Sequence, residues 1–333
     1  MNGNHAGKWS VQINKRRFFL IVLLVSLVGS VGLTAYIYTN MGDEVALDRS
    51  ITLMGQPKYL HPIASKGEAK LSKPLSVAVS GRNVYVTDSA DGKLAVFTKR
   101  GSLVRSVPLL KDGTPYPVGI AIDDRDRLYI TVETSGFFHI MVVDAYGRFQ
   151  YRFPDDLAAA KGKQVVLNHP TGIFYRDGKL YVTDAGDHDV KVFSTDGKLL
   201  TRFGKPGNKP GELLFPHGIT ADDNSIFVVD SNNSRVQVFD KNGRFKYFFR
   251  PDKNEPLVIP RGIAIDSLGR VHVVDLAQQK VYVFAKDGRY LLSYGSGRGE
   301  KALSYPNGIA IDQRAGLIYV ADCQNNRVAV YSE

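Results

Sequence analysis

Five aspartates end five short apolar runs at similar spacing, and carboxylates so arranged could hold a divalent cation or carry protons. They are Asp88, Asp184, Asp230, Asp275 and Asp322. Their regularity argues for a structural role. A group required once per unit caps loop amides, and Arg235, Lys280 and Arg327, each five residues further on, supply counter-charges. A second set occupies the middle of a recurring Pro-x-Gly phrase: Leu75, Val118, Thr171, His217, Arg261 and Asn307. The last four are polar, and arginine suits carboxylate or phosphate. Zinc chemistry needs about three clustered protein ligands. Only His217 holds a phrase position; His169 precedes its proline, and His139, His188 and His272 lie elsewhere. The acidic turn at residues 123–126 lacks the glycine and distal glutamate of a calcium loop, and there is no Gly-x-Ser-x-Gly. Residues 295–299 read as a glycine-rich connection between units. The residues therefore give no catalytic constellation, no metal site and no cofactor site. Thr171, His217, Arg261 and Asn307 are the candidate ligand-binding residues, to be weighed against a merely solvated rim.

What must position these residues is a repeat. Pro74, Pro117, Pro170, Pro216, Pro260 and Pro306 are separated by 43, 53, 46, 44 and 46 residues. Such a period means small supersecondary units that bury their apolar faces against one another. Each unit reads as four short strands. In the fourth, residues 218–221 are an inner run, 226–229 are β-branched and aromatic, 235–239 alternate with period 2, and 245–249 follow a turn at Asn242-Gly243. The turn glycine recurs as Gly101, Gly147, Gly197 and Gly288. This predicts an all-β, six-bladed propeller of four-stranded blades over residues 50–333. The last unit stops at Glu333, after its third strand. An orphan run at residues 51–57 is expected to supply the missing strand and remove an open edge.

The phrase Pro306-Asn307-Gly308-Ile309-Ala310-Ile311-Asp312, then Tyr319-Val320-Ala321-Asp322, then Asn326-Arg327-Val328-Ala329-Val330-Tyr331, resembles the NHL repeat. The resemblance implies a propeller whose Pro-x-Gly positions line one mouth, the second-to-third loops sharing that face. It leaves function open, since relatives include sensors, RNA binders, lyases and lactone hydrolases. The sole tryptophan, Trp9, lies outside the repeats and argues against WD-type blades. The expected role is binding of a protein, peptide or glycan at the mouth; the alternative is a hydrolase or lyase of lactonase type. An insertion at residues 154–161, acidic residues before three alanines, suggests a short helix over the mouth, either a partial lid or a neutral insertion.

Residues 18–38 form 21 uncharged, mostly apolar positions, long enough to span a bilayer. Lys8, Lys15, Arg16 and Arg17 precede them; Asp43, Glu44 and Asp48 follow. The positive-inside rule then gives a cytoplasmic tail at 1–17, a transmembrane helix at 18–38, a linker at 39–49 and an extracytoplasmic propeller. A cleaved signal peptide is the competing reading. The closing strand should enter from the face of the third-to-fourth turns, so the mouth should point away from the membrane. One cysteine, Cys323, excludes a disulfide framework, and its place matches Ser231 and Ala185 in other units. The net charge of +10 could serve nucleic acid, acidic glycan or lipid head groups; ordinary surface charge for solubility is the favoured reading, and an extracytoplasmic address argues further against nucleic acid.

Overall fold

The computed structural model describes residues 55–63, 70–109, 115–154, 167–249, 251 and 254–333. Among these residues the chain forms six four-stranded antiparallel sheets. In blades one to five the strands run in sequence order from the axis outward; blade four is Pro216–Ala221, Ile226–Asp230, Arg235–Phe239 and Phe245–Phe248. Period-2 alternation gives each sheet two faces, and both are apolar in the middle strands because a neighbouring blade covers each. The core is accordingly divided into six clusters, each shared by two blades. Phe227, Val238 and Phe249 of blade four, for example, meet Ile263, Val273 and Phe284 of blade five. The turn glycines take positive φ, 81° at Gly147 and 78° at Gly243, as the tight third-to-fourth connection requires.

An N-terminal strand does close the last blade, but it is not the one read from the sequence. Tyr59–Ile63 pairs antiparallel with Arg327–Ser332, with Tyr59 opposite Tyr331 and Ile63 opposite Val328. Of the run at 51–57, residues 51–54 lie outside the described residues, and Gly55, Gln56 and Pro57 precede the strand without joining it. The reason is packing. Ile63 is fully buried in the cluster between blades six and one, beside Phe97 and Tyr319, a contribution of about 1.5–3 kcal/mol. Tyr59 meets the Tyr331 ring edge-on at 5.6 Å and lies under the Arg327 guanidinium. Pro62 weakens this segment as a strand by sequence. On an outermost strand, however, its missing N–H faces solvent and costs no ladder bond. The strand enters at the end of the blade where the third-to-fourth turns lie and leaves at the opposite end.

The proposed helix at 18–38 and nearly all of the insertion at 154–161 lie outside the described residues. Among the described residues no helix is long and apolar enough to cross a membrane.

Candidate functional site: the channel and its mouth

The inner strand of every blade is a sheet edge, and the six edges surround a central channel of about 420 Å³. Leu75, Val118, Thr171, His217, Arg261 and Asn307 all line it. The glycine after each of these residues sets how closely the blades meet. A Cβ on Gly172 would fall on the carbonyl oxygen of His217. One on Gly218 would fall on that of Arg261, and one on Gly262 on that of Asn307. Bare backbone is therefore needed at this level, and the preceding side chain is turned toward the channel. Blade one departs from the phrase with Ser76.

Thr171 is buried, and its hydroxyl is spent within the protein: Oγ1 donates to the Pro216 carbonyl at 2.8 Å and lies 3.1 Å from Thr183 Oγ1. His217 and Arg261 are half-buried and touch each other, Arg261 Nη1 donating to His217 Nε2. Enclosure by the channel wall, then the Arg261 charge, then His169 hold His217 well below the ordinary imidazole range, so its ring is neutral. Burial also lowers Arg261, which nevertheless stays protonated. Its Nε is buried with no hydrogen-bond partner. Asn307 stands next round the ring, half-buried.

The strand-ending aspartates are elsewhere, fully buried at the mouth end of the blades and tied to the protein. Asp88 accepts from the Ser72 and Lys73 amides, Asp184 from Asn168 and His169, Asp230 from Leu214, Asp275 from Val258 and Ile259, and Asp322 from Ser304. Arg235 and Arg327 each reach their aspartate at 2.7 Å. Lys280 instead pairs with Glu255, and Asp275 takes amides of its own loop, Ala277 and Gln278, both at 3.0 Å. In blade two Val132 replaces the carboxylate, opposite Pro117 and His139. Asp184, Asp187 and Asp189 converge closely enough to hold a metal ion. The buried ammonium of Lys191 lies among them at 2.8, 2.7 and 2.9 Å, a cation supplied by the chain itself.

What the sequence reading missed is aromatic. Phe215 and Tyr305, each just before a phrase proline, are 42% and 52% exposed, and Phe137, the first residue of the third strand of blade two, is 61% exposed. All three stand at the mouth end, with Val258 exposed between the first two. Phe215 and Tyr305 adopt φ of 49° and 50°, a left-handed backbone that bulky residues rarely take and that costs of order 1–3 kcal/mol. The rings continue along the rim: His188 meets Phe215 edge-on at 4.7 Å, and Phe138 meets His169 at 5.4 Å. The only signal in the sequence was an aromatic residue preceding proline, which by itself reads as an ordinary loop.

Residues 162–240 match a family described as 6-bladed beta-propeller, and residues 303–331 match the NHL repeat. Over 130 residues the chain is 27% identical to Protein brain tumor of Drosophila melanogaster, a match covering 39% of this chain and 12% of that much longer protein. Among solved structures, virginiamycin B lyase from Staphylococcus aureus superposes with a TM-score of 0.56 at 16% identity, over 79% of this chain and 95% of that one. A gluconolactonase from Xanthomonas campestris gives 0.58 at 18% identity, over 84% and 94%. At such identities the likeness is one of fold. The chain is thus a six-bladed β-propeller of four-stranded blades that carries an NHL repeat.

Proposed function

We propose that this propeller is a binding module whose mouth recognises a protein, peptide or glycan, displayed outside the cytoplasm by a membrane helix at residues 18–38. The observation that carries the binding reading is the pair Phe215 and Tyr305. Both are exposed aromatics held in a strained backbone conformation, flanking Val258 on the mouth rim. Aromatic side chains supply large contact area at low entropic cost and dominate interface energetics. An enzyme of lyase or lactonase type is the alternative, and its support is likeness of fold to two such enzymes. Cross-linking capture by the full chain in its own membrane should recover a partner that the double variant Phe215→Ser, Tyr305→Ser fails to recover, with the melting temperature little changed. Equal capture by the variant overturns the reading.

The membrane reading rests on the uncharged run and its flanking charges. With the closing strand beginning at Tyr59, residues 39–58 would link it to the bilayer and reach about 70 Å at most when fully extended. A link of that length reaches either face, so the orientation rests on the closing strand entering at the turn face, which favours a mouth that points away from the membrane. In a Cys323→Ser background, single cysteines at Asn242 and Asn307 should both label from outside sealed vesicles. A lipid-embedded quencher should reach the first better. The reverse order overturns the orientation, and labelling only from the cytoplasm overturns the topology.

A further inference from the structure

Among the described residues, cations drawn into the protein come with carboxylates. Arg127 has Asp123 at 2.7 Å, Arg235 has Asp230 at 2.7 Å, Arg270 has Asp266 at 2.5 Å, Arg327 has Asp322 at 2.7 Å, and Lys191 has three. Arg261 has none. Its partner is the neutral His217 ring, its Nε is buried and unpaired, and it faces a channel open to solvent. A cation withdrawn from water without a counter-ion is costly, and the cost falls when an anion arrives. We propose that Arg261, with His217 beside it, is an anion-binding centre in the channel that receives a carboxylate of the molecule bound at the mouth. This rests on the reading of the mouth as a binding surface.

Charge and shape select the carboxylate. His217 accepts from Arg261 on Nε2 and so carries its proton on Nδ1, leaving the pair with a single positive charge and spare donors. A carboxylate neutralises that charge, and its two oxygens match the planar fork of a guanidinium. A phosphate dianion would leave one negative charge over that the single positive charge of the pair does not balance. Asn307, the next residue round the ring, offers a further amide within the same wall. Thr171 completes the arc sterically, its hydroxyl being already committed.

The test uses the purified full chain and two probes, sodium acetate and inorganic phosphate, at constant ionic strength. Equilibrium dialysis should show saturable uptake of acetate at one per chain, tighter than phosphate. Arg261→Gln should weaken it by about tenfold or more, the scale of one lost hydrogen bond to a charged group. Arg261→Lys, which keeps the charge but not the fork, should fall between. If Arg261→Gln fails to fold, Arg261→Lys and His217→Asn decide by the same measurement. Unsaturable uptake, equal uptake by the Arg261 variants, or preference for phosphate overturns the proposal. Phe215→Ser, Tyr305→Ser should leave acetate uptake unchanged. Loss of partner capture in that variant without any acetate site sinks the anion centre alone. An acetate site with capture indifferent to the rim sinks the mouth reading alone.

Discussion

Blades one to three and blades four to six solve the same problem differently. Beneath the Pro-x-Gly phrase the first three carry a buried threonine: Thr87, Thr131 and Thr183. Each hydroxyl accepts from the N–H of its own inner strand, Ser76 at 3.0 Å, Gly119 at 2.7 Å and Gly172 at 2.8 Å. Each also donates to a carbonyl of the next blade, on Val118, Thr171 and His217 respectively. One side chain thus bridges two blades, and the channel residues of this half are apolar or self-satisfied: Leu75, Val118 and Thr171. At the same position blades four to six have Val229, Val274 and Ala321, with no hydroxyl to share. Their channel residues are His217, Arg261 and Asn307. The half that uses its hydrogen-bonding capacity to join blades has little left for a ligand, whereas the other half keeps donors available. One backbone, repeated six times, can separate joining blades from leaving donors unspent because both call on the same few positions.

The sharpest way to break this comparison lies in the joined half. Lys191→Met removes the cation from among Asp184, Asp187 and Asp189 and should cost about 3–5 kcal/mol in chemical denaturation, because it leaves buried carboxylates uncompensated. A loss below about 1 kcal/mol would show that the cluster is wet or already neutral, and not an internal lock.

Next in size come the blade joints. Thr183→Val should cost about 1–3 kcal/mol by orphaning the Gly172 amide and the His217 carbonyl, while Val229→Thr, where no such bridge exists, should cost less. Equal effects would erase the distinction between the halves. Gly172→Ala and Gly218→Ala should both cost about 1–3 kcal/mol, since both halves need bare backbone there.

The smallest effect is a pH dependence. Burial lowers His272, whose ring sits between Asp266 at 3.0 Å and Tyr294 at 3.1 Å, and enclosure lowers His217. The unfolded chain therefore binds more protons than the folded one below the ordinary imidazole pKa of about 6.5. Stability from both rings is full above that value and declines as pH falls from it through each folded value. His272→Gln should flatten the slope of the urea midpoint with pH in the core of blade five, and His217→Asn should flatten it in the channel. A slope unchanged by both would assign the acid sensitivity to carboxylates.

How far the sequence could be read differs between backbone and side chains. Six prolines at near-regular intervals, β-branched alternation and the turn glycines determined the blade count, the strand order and the positions that line the channel. These depend on local sterics and period, which a sequence displays directly. The closing strand begins about eight residues after the start of the run at 51–57 because its place is decided by Ile63 entering a core with residues more than 250 positions away, and by Pro62 being harmless on an outer edge. That Thr171 would be bound while Arg261 stayed without a carboxylate depended on neighbours 40 to 50 residues distant, brought together by ring closure. The sequence by itself determined the propeller and which positions line its channel. Only the tertiary structure decided which polar groups remain available to meet one, because hydrogen-bond satisfaction is a property of pairs and the ring chooses the pairs.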